Sequence, residues 1–167
     1  NGGEVERNII IDMMTNKVVL AAISAKWPKE GLLKSKQANL IGSWCVAHGK
    51  EYREPPMRQI GAYFEQWSAH QSDEHLIEAV RELMQAVTDE YDEGGGQANP
   101  QYRIDQAGEY ISLCQATKLN EELATQINLG HTRNVIELIA SYTPIVLGDR
   151  MWCNPVTDSD EIRSTFS

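Results

Sequence analysis

Apolar residues recur at steps of three or four along most of this chain, the spacing that amphipathic helices produce. Prolines, glycines and capping residues interrupt this period in the first part of the sequence. The pattern predicts five short helices in this part. They lie at 4–14, at 18–23, from Ser35 to His48, from Pro56 to Trp67, and from Ser72-Asp73 to Tyr91. Thr15 is the predicted cap of the second helix. Because alanines and a helical period flank Val18-Val19-Leu20, we predict a buried helix there and not a strand.

A much longer helical stretch begins at Asn99-Pro100, where the fixed φ of proline suits the first turn of a helix. No proline occurs from 101 to 129, and a helix of that length would reach roughly 40 Å at about 1.5 Å per residue. Gly130 is predicted to end it in a left-handed turn, Thr132 to cap a second helix and Pro144 to stop that helix. The two helices together predict an αα-hairpin.

These elements predict an all-α chain, a small helical globule followed by a long αα-hairpin. We expect the globule at 1–93, a Gly-rich joint at 94–100, the hairpin at 101–143 and a linker toward a further C-terminal domain at 144–167. The joint is predicted from Gly94-Gly95-Gly96, a run that favours neither helix nor strand. Within the linker, 158–166 has the pattern of a short helix.

The composition excludes two classes of protein. With 41% hydrophobic residues, the chain has no run near the roughly 18 apolar residues that a membrane helix needs. Its three cysteines are far apart and odd in number, which favours free thiols over a disulfide framework. Since free thiols are typical of a reducing compartment, we expect a cytoplasmic protein without membrane contact.

The net charge of −9 weighs against tight binding of phosphates by the chain as a whole. The charge is uneven, however, because the segment from Lys26 to Arg58 holds seven basic and three acidic residues. A solvated face is the simplest interpretation of this segment. Any nucleic-acid contact should be weak or indirect, and the residues that would make it are Lys26, Lys29, Lys34 and Lys36.

Little in the sequence points to catalysis. It has no phosphate-binding G-x-x-x-x-G-K-[ST] loop, and His70 and His75 are five residues apart, where a zinc helix needs four. Cys45 and His48 share a helical face, but Cys45 also lies on an apolar stripe, which favours a buried thiol over a nucleophile. We predict no catalytic residue, no cofactor and no metal site.

The long helix carries an apolar stripe that its shorter return helix cannot cover, since about eleven residues reach only about 16 Å. The rest of the stripe must be buried by the globule or by a second chain, because leaving it in water is unfavourable. We expect a two-fold dimer through the hairpin, broken by aspartate at Ile111 and Leu119. The predicted oligomer or partner interface is Ile104, Tyr110, Ile111, Cys114, Leu119, Leu123, Ile127, Val135, Leu138, Ile139 and Tyr142.

Two hairpin segments carry a resemblance to a known family. They are 102–110 (YRIDQAGEY) and 134–142 (NVIELIASY), and 158–166 (DSDEIRSTF) adds to the likeness. With a helical globule, a joint, a long helix, a Gly turn and a shorter helix, the chain resembles the N-terminal domain of DnaB-type replicative helicases. The likeness is to phage-encoded members with RecA-like ATPase domains in particular. It covers about the last hundred residues, and the first seventy in helix order only.

The resemblance implies a collar domain in DNA replication: chains pair through their hairpins, and the pairs build a ring above the motor domains. It also implies contact with a primase or a helicase loader. The ATPase motor, with its phosphate loop, is absent from this sequence, so this chain should not be an enzyme. Polar residues at Ser112, Gln115, Thr117 and Asn120 depart from the family pattern. The alternative function is a free-standing phage-type DNA-binding or packaging adaptor that contacts phosphates through the basic segment.

Overall fold

A computed structural model describes residues 2–92 and 99–148, and these residues form helices and connections without a strand, which confirms the all-α prediction. The helices are α1 (Gly2–Thr15), α2 (Lys17–Ser24), α3 (Lys36–Tyr52), α4 (Ile60–Ala69), α5 (Glu74–Asp92), α6 (Pro100–Asn128) and α7 (Thr132–Ser141), with a 3-10 turn at Met57–Gln59 before α4. None of these helices is long and apolar enough to cross a membrane. The glycine run at 94–96, from which the joint is predicted, and the predicted helix at 158–166 lie outside the described residues.

Side-chain caps fix the start of several helices as the sequence indicates. The Ser35 hydroxyl accepts the N–H of Ala38 at the start of α3. Asn99 accepts the N–H groups of the second and third residues of α6, and Pro100 occupies the first helical position. At the start of α5, Asp73 accepts the N–H of Leu76. These caps pair backbone donors that no residue of the helix itself can satisfy.

Two predicted caps were wrong. The cap of α2 is Asn16, whose side-chain oxygen accepts two backbone N–H groups, while the Thr15 hydroxyl donates to the carbonyl of Ile11 in the preceding turn. Threonine in a last helical turn often bonds back in this way and is then unavailable to the next helix. Likewise, Thr132 is the first residue of α7, and its N-cap, His131, makes no side-chain capping bond.

The hydrophobic core lies where α1, α2, α3, α5 and α6 meet. α2 is central, as its apolar sequence predicts, because it contacts α1, α3 and α6. Its Val19 and Ile23 are fully buried, while Val18 points away from the core and is exposed. The largest fully buried aliphatic side chains are Ile10, Ile11, Met13, Val19, Ile23, Leu32, Ile41, Val80, Val87 and Ile111.

The first half of α6 belongs to this core. Ile104, Ala107 and Ile111 are buried on the side that contacts α1 and α2. An ion pair adds to the contact, since Nε of Arg103 lies 2.7 Å from Oδ2 of Asp12 on α1 and both side chains are largely buried. The core therefore crosses the boundary that the sequence places at 94–100, and α6 serves first the globule and then the hairpin.

A second polar contact holds α6 against the globule. Glu6 on α1 is buried, and its carboxylate accepts the backbone N–H groups of Lys34 and Ser35 just before α3. The same carboxylate accepts the hydroxyl of Tyr110 on α6 at 2.9 Å. One acidic side chain thus joins α1, the connection into α3 and the middle of α6.

The far end of α6 turns sharply into α7. Gly130 has φ +73°, and its N–H donates to the carbonyl of Ile127, while the N–H of His131 donates to the carbonyl of Gln126. This bond pattern is a Schellman motif, which favours glycine at the left-handed position. After α7 the chain returns to the globule, where Leu147 is buried beside Gly108 of α6.

Candidate functional site

The hairpin exposes most of the large apolar side chains that the described chain leaves in water. Seven of eleven such residues lie between 113 and 146, each of them 37–68% exposed. Six of these seven lie on the hairpin, namely Leu113, Ile127, Leu129, Ile136, Ile139 and Tyr142, and Val146 lies on the connection after α7. Exposed apolar surface concentrated on one projecting element is typical of a protein interaction site.

The geometry of the two helices groups these side chains into faces. Ile136 and Ile139 are three residues apart on α7 and therefore lie on the same side of it. On α6, Leu113 and Ile127 are separated by nearly four whole turns, at about 3.6 residues per turn, and so also share a side. No residue of α7 is buried, although the helix is strongly amphipathic. Its apolar face is thus only partly covered within one chain.

Two residues of the predicted interface are not available to a partner. Ile104 and Ile111 are buried in the core of the globule, so their assignment to an intermolecular surface was wrong. The physical reason is that α1 and α2 pack against this part of α6. Aspartate at Ile111 would therefore test the stability of the fold and not its association.

Tyr110 and Cys114 are half-buried beside Glu6, where α6 meets the globule. Burial raises the pKa of the Tyr110 hydroxyl, and its hydrogen bond to the Glu6 carboxylate raises it further. Burial also raises the pKa of the Cys114 thiol, which makes it a poor nucleophile. The structure gives both residues a place in the attachment of the hairpin and not on its free surface.

The other predicted interface residues lie on the hairpin itself. Ile127, Ile139 and Tyr142 are exposed. The remaining four, which are half-buried, are Leu119, Leu123, Val135 and Leu138. Since α7 has extensive contact with α6 alone, its half-buried Val135 and Leu138 are covered at the seam between the two helices.

Four exposed residues of this surface were missed by sequence reasoning, namely Leu113, Leu129, Ile136 and Val146. Ile136 directly follows Val135, and the two point about 100° apart on a helix, so only one of them can face α6. A helical-wheel comparison of α7 with the seam of α6 could have identified Ile136 as the outward residue.

We expect Tyr110→Phe to lower the free energy of unfolding by about 1.5–3 kcal/mol, because it removes a hydrogen bond to a buried charged group. The matched control is Tyr102→Phe on the same helix, since Tyr102 is 55% exposed and its hydroxyl accepts a hydrogen bond from the exposed Gln106. Urea unfolding followed by circular dichroism measures both variants. Equal losses would contradict the anchoring role of Glu6.

A groove of about 650 Å³ lies along the hairpin, and its charged lining is acidic. Glu121 and Glu122 from α6 and Glu137 from α7 contribute the charges. The other lining residues are Thr125, Gln126, Asn134, Leu138 and Ser141. We call this surface the acidic groove.

The Cys45 and His48 pair does not form a nucleophilic site. Cys45 is fully buried, and burial strongly raises the pKa of its thiol, whereas a reactive cysteine needs an accessible thiolate. His48 is also buried, with Nδ1 2.9 Å from the Tyr63 hydroxyl and its ring against Tyr52. Cys45 belongs to the hydrophobic core, and His48 joins α3 to Tyr63 on α4.

The predicted nucleic-acid contacts are all exposed and lie between the end of α2 and the first residue of α3. Lys26 and Lys29 follow α2, Lys34 precedes α3, and Lys36 is the first residue of α3. The backbone N–H of Lys34 is engaged by Glu6, which leaves its ammonium group in solvent. The structure brings these four lysines into no common pocket among those that it describes.

Among the described residues, no group of three or more His, Cys, Asp or Glu side chains is arranged to hold a metal ion. No family model, no curated protein and no solved structure matches this chain. The interpretation of the site therefore depends on its own geometry.

Proposed function

We propose that this chain is a cytoplasmic, non-catalytic oligomerisation and partner-binding domain of a DnaB-type replicative helicase. The observation that carries the proposal is the exposed apolar surface of the hairpin, in particular Ile136 and Ile139 on α7. Burying a large aliphatic side chain gains about 1.5–3 kcal/mol, so a second hairpin that covers these residues supplies a clear driving force for association.

The way in which the hairpin is attached also supports this proposal. α6 is held in the globule by Ile111, by the Arg103–Asp12 pair and by Tyr110, so its far half is presented to partners from a fixed base. A two-fold pairing of hairpins is the expected arrangement, because closed two-fold contacts are the commonest in homo-oligomers. In the proposed function, such pairs assemble into a ring and offer outer surfaces to a primase or a helicase loader.

The double variant Ile136→Asp/Ile139→Asp is expected to convert the dimer into a monomer, because each carboxylate would have to be buried in the paired surface. Sedimentation velocity would show the mass falling from that of two chains to that of one. Helicity should stay unchanged, since neither side chain is buried within the chain.

The control for this variant is Val18→Asp, because Val18 is similarly exposed but lies on α2 of the globule. A wild-type chain that is monomeric at high concentration would contradict the proposed pairing. Salt-sensitive binding of labelled DNA that is lost in Lys34→Glu/Lys36→Glu would instead support a DNA-binding adaptor.

A further inference from the structure

A second groove, on the globule, has the opposite charge to the acidic groove. It encloses about 480 Å³ between α2 and the end of α3, and we call it the basic groove. Lys17, Lys50 and Arg53 line it, and Glu54 is the one acidic residue in its lining. The three cations are exposed, and none of them has an ion pair with another described residue.

The dipoles of α2 and α3 favour two of these three cations but not the third. Lys50 lies in the last turn of α3 and Arg53 caps it, and cations are favourable at that negative end of the helix dipole. Lys17, however, is the first residue of α2, at the positive end of that helix, where a cation is unfavourable. The Ser24 hydroxyl, in the same lining, is buried and has no hydrogen-bond partner among the described residues. The groove therefore holds three cations that have no ion pair among the described residues, and a buried hydroxyl without a hydrogen-bond partner there.

Within one chain the two grooves are separate surfaces. α7 has extensive contact with α6 alone, whereas the basic groove is built by α2 and α3. No residue lines both grooves. The lining of the basic groove thus carries three cations against the one carboxylate of Glu54, and the lining of the acidic groove carries three carboxylates. Every copy of the chain brings both grooves.

We propose that the basic groove binds the acidic groove of a second copy, so that chains associate head to tail through Lys17, Lys50 and Arg53 on one copy and Glu121, Glu122 and Glu137 on the next. The occupant favoured by the charges is another copy of the chain, because every copy presents three carboxylates in its acidic groove that complement the three cations of the basic groove. A head-to-tail contact is heterologous, so it closes into a ring or extends as a filament. It adds a second interface to the hairpin pairing of the proposed function and uses different residues.

Charge reversal tests this contact. Lys50→Glu/Arg53→Glu reverses the basic groove, and Glu121→Lys/Glu137→Lys reverses the acidic groove. Each variant alone is expected to show roughly tenfold weaker head-to-tail association, measured by sedimentation velocity at low salt, because attractive pairs become repulsive. An equimolar mixture of the two variants should recover the association, since each reversed groove then meets a complementary one.

Two controls make the result specific. Lys26→Glu/Lys29→Glu has the same net charge as Lys50→Glu/Arg53→Glu but changes exposed residues outside the groove, and it should associate like wild type. The Ile136→Ser/Ile139→Ser background removes apolar hairpin pairing without adding charge, and the salt-sensitive association should persist in it. The salt-sensitive head-to-tail association can therefore be measured even if the hairpins do not pair.

Three results would overturn the proposal. The first is a mixture of the two reversed variants that does not recover association. The second is a control variant that loses association to the same extent, which would indicate an effect of net charge alone. The third is salt-sensitive binding of a labelled oligonucleotide that is lost in Lys50→Glu/Arg53→Glu while self-association is unaffected, which would assign the basic groove to nucleic acid.

Discussion

Arg103→Ala is expected to lower the free energy of unfolding by about 3 kcal/mol or more at neutral pH, because it leaves the carboxylate of Asp12 buried without its partner. The Asp12 side chain is 4% exposed, and its second oxygen already has no hydrogen-bond partner among the described residues. Urea unfolding followed by circular dichroism measures the change.

The decrease in the free energy of unfolding caused by Arg103→Ala should become smaller as the pH falls. Burial raises the pKa of Asp12 above its ordinary 3.8, and Arg103 opposes this rise, so removing Arg103 raises the pKa further. A carboxyl whose pKa is raised by folding favours the folded state below its unfolded pKa, and that contribution is lost as the pH rises through the folded value. The difference between variant and wild type should therefore be largest at neutral pH and decrease toward pH 3.8.

Two controls accompany this prediction. Arg7→Ala breaks the ion pair between Arg7 and Glu90, two side chains that are each more than a third exposed. It should lower the free energy of unfolding by less than about 1 kcal/mol. Replacing both members of the buried pair, as in Asp12→Leu/Arg103→Met, should recover much of the loss, since no unpaired charge remains. If Arg103→Ala is as mild as Arg7→Ala, the buried pair does not secure α6.

Ile111→Ala is expected to lower the free energy of unfolding by about 2–5 kcal/mol. Ile127→Ala on the same helix should change it by no more than about 0.5 kcal/mol. Ile111 is fully buried in the core, and Ile127 is 60% exposed. The comparison keeps the residue type and the helix constant and varies only the burial.

Both substitutions should be measured in the Ile136→Asp/Ile139→Asp background, so that association does not contribute to stability. An Ile127→Ala loss that approaches the Ile111→Ala loss would show that the hairpin face is covered within one chain. That result would also remove the driving force on which the proposed function depends.

The contrast between Ile111 and Ile127 shows where sequence reasoning was sufficient and where it was not. Proline, glycine and asparagine placed both ends of α6 to within a residue, because caps and turns are decided by neighbouring atoms. The stripe assigned to that helix, however, contains a step of five residues from Cys114 to Leu119. At about 100° per residue, such a step turns the stripe by about 140° beyond a full turn, so it divides into two faces.

The first of these faces packs into the globule, and the second lies along the hairpin. No local signal shows which partner each face will meet, since that depends on contacts between residues distant in sequence. Asp12 and Arg103 are 91 positions apart, and Glu6 and Tyr110 are 104 apart. Both contacts bring residues together across the boundary that the glycine run led us to predict. The acidic and basic grooves also require the fold, because Lys17 joins Lys50 and Arg53 only when α2 packs against α3.

The continuity of α6 has a mechanical consequence. The helix leaves the core near Ile111 and runs without a break to Asn128, a distance of about 25 Å at 1.5 Å per residue. A tilt of about 5° at its base would therefore move the hairpin turn by about 2 Å. Because Arg103 and Tyr110 contact Asp12 and Glu6 on α1, a tilt of α6 that moves the hairpin turn would also change these two contacts.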